Sequence, residues 1–227
     1  MSIKDKYTVK SIDSFQCSEW LLYKHYAKRI PSISYSFGLF QDKQLVGVLT
    51  IGKPASPSLC DGICGVEYTE FVFELNRLCI NEGLEKNVLS FFVSKSLKMI
   101  KDNLILVSYA DTEWGHFGFI YQATNFIYTG LSAKRTDLKV KGFKKMHGRT
   151  MSHLWEGKEG GSKTIYDKYG DDAYLEERSR KHRYVIFLGK RKNEFKSKLN
   201  YPIEPYPKGD SKRYDASYKP ITQQQLF

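Results

Sequence analysis

The chain has 227 residues, 41% of them hydrophobic and 27% charged, a balance that supports a packed core and excludes wholesale disorder. No run approaches the roughly 18 consecutive apolar residues of a membrane-spanning helix, and the polar start Met1-Ser-Ile-Lys-Asp-Lys predicts no signal peptide. The cysteines Cys17, Cys60, Cys64 and Cys79 are too few for a disulfide scaffold at this length, which predicts a reducing, cytoplasmic setting.

The net charge of +11 comes from 36 Lys+Arg against 25 Asp+Glu. Residues 1–130 hold 13 basic and 13 acidic residues, whereas residues 131–227 hold 23 and 12. The whole excess therefore lies in the second part. That part is also rich in aromatic residues, among them Trp155, Tyr166, Tyr169, Tyr174, Tyr184, Tyr201 and Tyr206. Basic side chains neutralise phosphates and aromatic faces stack on bases, so the pattern predicts a neutral catalytic part and a basic part that holds a polyanion. The alternative is a solvated basic surface with tyrosines packed beneath it. The basic residues do not form one amphipathic helix with a bulky apolar face, so no membrane partner is expected.

In chain order, residues 14–28 carry an apolar stripe (Phe15, Cys17, Trp20, Leu21, Leu22, Tyr26) that predicts a helix stopped by Pro31. Residues 35–40 and 45–51 predict a hairpin turning at 41–44. The Pro/Ser/Gly-rich stretch 53–65 predicts a loop. A strand is expected at 71–80 and a helix within 84–100. Residues 104–109 (LILVSY) are nearly all apolar, the mark of a central strand buried on both faces. A loop at 110–116, a helix at 117–125 and a strand at 126–131 follow. Beyond that, 183–188 predicts a strand and 190–199 a helix. The stretch from Tyr201 holds four of the seven prolines and is expected to be extended and partly ordered. This order predicts an α/β (α+β) fold with a mixed sheet and helices on both faces. Its site is expected beyond the carboxyl ends of the central strands.

The densest polar cluster is Ser108-Tyr-Ala-Asp-Thr-Glu-Trp-Gly-His116. Asp111, just past a buried strand, and His116 suit acid–base chemistry or metal ligation. Capping of the next turn by Asp111 is the structural alternative. His25 ends the first helix, where it could simply compensate the dipole. Arg77 lies in an apolar strand and must be paired or meet a ligand; with Glu74 and Asn76 it marks a polar face. Ser90 lies near a helix start, where amides can hold a phosphate. Tyr121 and Asn125 fall on one helical face.

The runs His25-Tyr-Ala-Lys-Arg-Ile-Pro-Ser32, Glu74-Leu-Asn-Arg-Leu-Cys79, Ser108-Tyr-Ala-Asp111, Gly115-His116, Ile120-Tyr-Gln-Ala-Thr-Asn-Phe-Ile-Tyr-Thr-Gly130 and Lys181-His-Arg-Tyr184 resemble the Mom family of phage DNA-modification proteins. The resemblance spans about 25–190. It implies a GNAT-like fold, a mixed sheet whose central strands splay, here with a basic C-terminal extension. The division it suggests is a catalytic core at 1–150, a basic α/β extension at 151–200 that is integral to the core and to DNA binding, and a Pro-rich, partly ordered tail at 201–227. It also implies conversion of adenine N6 in DNA to a carbamoylmethyl derivative that protects phage DNA from restriction inside a bacterial host.

By the resemblance, the functional positions fall on His25, Tyr26, Arg77, Ser96, Asp111 and Tyr121. Asp111, Tyr121, His25, Tyr26 and Arg77 are the expected catalytic set, and Ser96, Ser90 and Ser108 are expected near an acyl-CoA-like donor. His25, Asp111 and His116 form the ligand set if iron is used. The expected partner is double-stranded DNA, with a homodimer left open. The candidate phosphate contacts are Lys134, Arg135, Lys139, Lys141, Lys144, Lys145, Arg149, Arg180, Lys181 and Arg183. One departure stands out. Where GNAT enzymes carry Q/R-x-x-G-x-G/A, this chain has Asn81-Glu-Gly-Leu-Glu-Lys-Asn87. Acyl transfer to RNA, and non-catalytic nucleic-acid binding, are the competing readings.

Overall fold

The computed structural model describes residues 2–143 and 162–210. The chain divides into two units, residues 1–130 with 182–227 and residues 131–181. The breaks thus fall near 130 and 181, where the sequence suggested 150 and 200. Residues 182–200 belong to the first unit and supply one of its strands.

The described elements begin with α1 (Ile3–Lys6), β1 (Tyr7–Ser11), β2 (Tyr35–Gln41), β3 (Gln44–Gly52) and α2 (Pro57–Cys64). Then come β4 (Val72–Ile80), α3 (Val88–Met99), β5 (Leu104–Asp111), α4 (Phe119–Ala123) and β6 (Ile127–Leu131). The second unit contains β7 (Arg135–Val140), α5 (Ser162–Tyr169) and β8 (Ala173–Arg178). β9 (Lys181–Leu188) and α6 (Lys192–Ser197) close the order.

The first unit is a mixed sheet in the order β1-β2-β3-β4-β5-β9-β6. β1 to β4 are successive antiparallel neighbours, and β4 pairs with β5 in parallel. The expected hairpin forms on Asp42-Lys43, whose φ values of 46° and 68° give a turn with the twist of the flanking strands. β5 alternates as a doubly buried strand should. Leu104 and Leu106 face Phe92, Val93 and Leu97 of α3, while Ile105 and Val107 face Ile63 of α2, Val185 of β9 and Phe195 of α6. A third cluster packs Cys17, Trp20 and Leu21 on Phe40, Leu45, Val48 and Cys79.

Three expectations change. Residues 14–28 are not one helix: a 3-10 turn at Ser14–Cys17 and a wide turn at Trp20–Lys24 end at His25, which is extended. Residues 57–64 are a helix, because Pro57 stands at its first turn, where its missing N–H is harmless. Cys60, Ile63 and Cys64 then form an apolar stripe at helical spacing. β1 occupies a stretch with no expected element; of its residues only Tyr7 is buried, so its periodic signal is weak.

Residues 201–210 contain no helix or strand. They lie along β6, with Glu204 N–H donating to Tyr128 O at 3.0 Å and Tyr206 Oη to Phe126 O at 2.7 Å. The remainder of the expected tail lies outside the described residues. Among the described residues, no helix is long and apolar enough to cross a membrane.

In the second unit, β7 and β8 form an antiparallel ribbon. One of its faces packs Val140 and Ala173 on Ile165 of α5, with Leu138 and Tyr169 beside them.

Candidate active site

β4 and β5 pair only at Val72–Ile105, Phe73–Leu106 and Glu74–Val107. Both strands continue, to Ile80 and Asp111, so beyond Glu74 and Val107 they part. At the apex Ser108 Oγ donates to Leu75 O at 2.9 Å. β4 is bulged at the same level: Ile51 faces Leu75 and Thr50 faces Arg77, leaving Asn76 as the extra residue. Glu74 and Arg77, three apart, would point to opposite faces of a regular strand. The bulge turns both to one side, where both act on the Tyr26 hydroxyl.

His25 and Tyr26 reach this opening from the wide turn, which is closed by His25 N–H donating to Trp20 O at 2.9 Å. His25 Nδ1 accepts the Ala27 N–H at 3.1 Å. That assigns the ring proton of the neutral imidazole to Nε2. Burial, then Arg77 and His116, push the His25 pKa down to about 3. The ring is therefore neutral at working pH and offers Nε2–H as a donor.

The Tyr26 ring stacks on His25 with centroids 4.4 Å apart, and lies 5.5 Å from Trp114 and 6.2 Å from His116. Burial, with Asp111 next, pushes the Tyr26 hydroxyl up to about 12 while Arg77 opposes. Burial pulls the Arg77 guanidinium down, and Tyr26 and Glu74 oppose that. Arg77 also donates to Asn76 O at 2.6 Å and Arg29 O at 3.4 Å, so it ties the segment after His25 to β4.

Asp111, buried at the end of β5, accepts the Glu113 N–H at 3.1 Å. It caps the turn that presents Trp114 and His116. Burial lowers the His116 pKa, and Asp111 opposes that drop. Burial also pushes the Tyr121 hydroxyl up; the adjacent Ser108 hydroxyl works against the rise, and Tyr26 and Glu74 add to it. Asn125 has left the helix of Tyr121, with φ at 63°.

The other end of this loop is held by residues that sequence reasoning missed. Phe117 O accepts from the Tyr184 hydroxyl and, at 3.1 Å, from Gln122 Nε2. The Tyr184 ring lies 5.2 Å from that of Tyr121. Gly118, at φ 71°, starts α4 against the same ring. In the sequence, Gly115 and Gly118 flank His116-Phe117, a local sign of this close approach.

The expected residues thus divide. His25, Tyr26, Arg77, Ser108, Asp111, His116 and Tyr121 surround the parting of β4 and β5, together with Glu74 and Trp114. Ser96 is fully buried on the core face of α3 beside Phe92 and Val93, and its hydroxyl has no hydrogen-bond partner among the described residues. Ser90 Oγ donates to Asn87 O at 3.0 Å, inside its own helix turn.

Among the phosphate candidates, Arg183 donates to Thr129 Oγ1 at 2.8 Å and Thr129 O at 2.9 Å and covers the Tyr201 ring at 3.3 Å. Arg180 donates to Ser132 O and Leu131 O. Lys139 and Lys141 pair with Glu176 and Asp172. Lys134 and Arg135 are exposed, Lys181 is half-buried, and Lys144, Lys145 and Arg149 lie outside the described residues.

His25, Asp111 and His116 do not make a ligand set for iron. His25 Nδ1 and the Asp111 carboxylate are both turned to local backbone N–H groups. Among the described residues, no three histidine, cysteine, aspartate or glutamate side chains converge on one point. The turn between β4 and α3 does not fit the pyrophosphate of a CoA donor. A phosphate there needs free amides and positive charge, but the turn carries Glu82 and Glu85, ion-paired to Lys24 at 2.7 Å and Lys6 at 2.6 Å.

Residues 6–208 match the model of the Mom protein family. The methylcarbamoylase mom of Escherichia phage Mu is 30% identical over 190 residues, 82% of this chain and 77% of that protein. Similar solved structures include a putative acetyltransferase from Salmonella typhimurium with its cofactor acetyl-CoA, at TM-score 0.44 and 8% identity, covering 82% of this chain and 95% of that one. A Bacillus subtilis acetyltransferase in complex with CoA is similar at TM-score 0.36 and 12% identity, with 81% and 99% covered. With the match running through nearly every element of the first unit and the whole site, this chain belongs to the Mom family.

Proposed function

We propose that this protein transfers a carbamoylmethyl group to the N6 of adenine in double-stranded DNA, a modification that shields phage DNA from restriction. The observation that carries the reading is the buried Asp111 carboxylate at the parting of β4 and β5, facing Tyr26 and His116, in a chain of the Mom family.

Adenine N6 is a weak nucleophile because its lone pair is delocalised into the ring. It needs an acceptor for the proton it sheds as its new bond forms. Asp111 supplies that acceptor. As N6 bonds to the methylene carbon of the incoming group, that carbon's bond to the donor breaks and the leaving group departs with the electron pair. Neutral His25, through Nε2–H, and Tyr121, through its hydroxyl, donate to the leaving group as charge develops on it. Tyr26 and Trp114 form an aromatic wall for the base. N6 is paired and stacked in a duplex, so the adenine is flipped out to reach this wall. The basic excess after residue 130 holds the phosphates.

The test is mass spectrometry of nucleosides from DNA of cells expressing the wild type or Asp111→Asn, which keeps the shape but not the basicity of the side chain. The wild type should yield a deoxyadenosine heavier by a carbamoylmethyl group, and the variant should yield about 100-fold less or below. Full modification by the variant removes Asp111 from the chemistry. A modified adenosine in RNA with none in DNA makes the substrate RNA, and neither product with either protein leaves a binding protein.

A further inference from the structure

The β7–β8 ribbon of the second unit has two unlike faces. Val140, Ala173 and Leu138 lie on one, against α5. Opposite residues of an antiparallel pair share a face, so the register Arg135↔Arg178, Asp137↔Glu176 and Lys139↔Tyr174 defines the other. That face carries two arginines, two carboxylates, a lysine and a tyrosine. Its composition is unusual in two respects. Arg135 and Arg178 stand directly opposite each other, an arrangement of like charges that destabilises a bare ribbon. The ion pair behind them is long, 3.9 Å for Arg178–Asp137, and partly exposed, so it can be exchanged for another partner.

We infer that this face enters the major groove of DNA and selects the bases around the modified adenine. The inference rests on the proposal that the substrate is DNA. A two-stranded ribbon fits the B-form major groove. Six residues per strand at about 3.3 Å each give roughly 20 Å of reading length. The side chains are of the kinds that read base edges there. Arginine makes a forked pair of hydrogen bonds to guanine O6 and N7, and carboxylates accept from cytosine N4. A surface that only neutralised phosphate would gain nothing from Asp137 and Glu176, which repel it. The deep, narrow major groove of A-form RNA does not admit a ribbon, so the face favours DNA over RNA.

The experiment is selection of bound duplexes from a random-sequence DNA pool by the full-length protein, read by sequencing, with the wild type, Arg135→Lys, Arg178→Lys, Asp137→Asn and Glu177→Gln. The wild type should enrich a short sequence about tenfold or more over its single-base variants. Lysine keeps the charge and the fold but not the fork. Each Arg→Lys change should therefore erase the preference at one or two positions while overall affinity stays within about threefold. Asp137→Asn should alter the preference at a neighbouring position. Glu177→Gln lies on the other face and should leave the sequence logo unchanged.

A wild type that binds DNA without enriching any sequence overturns the inference. So does a preference that survives every change on the arginine face. A protein that binds no duplex at all overturns it together with the DNA reading. Because selection requires no turnover, loss of modified adenine in cells alongside an intact preference would count against the proposed chemistry and leave the ribbon's role standing.

Discussion

Gly118→Ala tests how the site is held together. Gly118 starts α4 at φ 71°, and a Cβ there would overlap the Tyr184 ring, 2.8 Å from Cζ and 3.0 Å from the hydroxyl oxygen. The left-handed backbone costs an L-residue about 1–2 kcal/mol. Tyr184 is fully buried, and pushing a packed side chain aside adds about 1–3 kcal/mol. The expected loss is therefore about 2–5 kcal/mol, measurable as a lower urea midpoint at unchanged slope. Gly83→Ala is the control, since Gly83 has φ 77° but nothing within 4 Å of a new Cβ. It should show the backbone part alone, about 1–2 kcal/mol. The displaced Tyr184 hydroxyl would also release Phe117 O and shift the ring beside Tyr121, so adenine modification should fall further for Gly118→Ala than for Gly83→Ala at matched soluble protein. Equal destabilisation by the two substitutions would refute the reasoning, because it would mean that Tyr184 does not wall Gly118.

Two further outcomes follow from the site and its surroundings. His25 takes up a proton at its ordinary 6.5 when unfolded but only at about 3 when folded. Between these values the unfolded state binds the extra proton, so stability rises with pH at up to about 1.4 kcal/mol per unit and the contribution is complete above 6.5. His25→Gln should flatten this part of the urea-derived stability profile, and an identical slope in wild type and variant would show that His25 is not held neutral. Arg183→Ala removes two hydrogen bonds to Thr129 and the cover over Tyr201. It should lower stability by about 2 kcal/mol and leave the salt dependence of DNA binding unchanged; a salt slope smaller by about one would instead make Arg183 a phosphate contact.

Much of this protein was legible in its sequence because periodic burial follows from local geometry. The apolar run at 104–109, the hairpin around 41–44 and the helix within 84–100 each need only a local pattern of apolar residues and one apolar core. The charge divide after residue 130 needed only counting. Asp111, Tyr121, His25, Tyr26 and Arg77 could be named because each lies in a run resembling the Mom family or breaks a local rule, as an arginine in an apolar strand does. What the tertiary structure alone decided was how these residues meet. A one-residue bulge at Asn76 brings Glu74 and Arg77 to the same side. The parting of β4 and β5 after three paired positions is a property of two strands 33 residues apart in register, Val72 with Ile105 to Glu74 with Val107, and no short window of sequence contains it. Cys60 and Cys64 read as loop residues until the core of α2 claimed them. Tyr184 reaches the site only because β9 inserts between β5 and β6. Local sequence sets which backbone shapes are affordable at each position; long-range pairing sets which side chains then share one space, and this site is made of the second kind of contact.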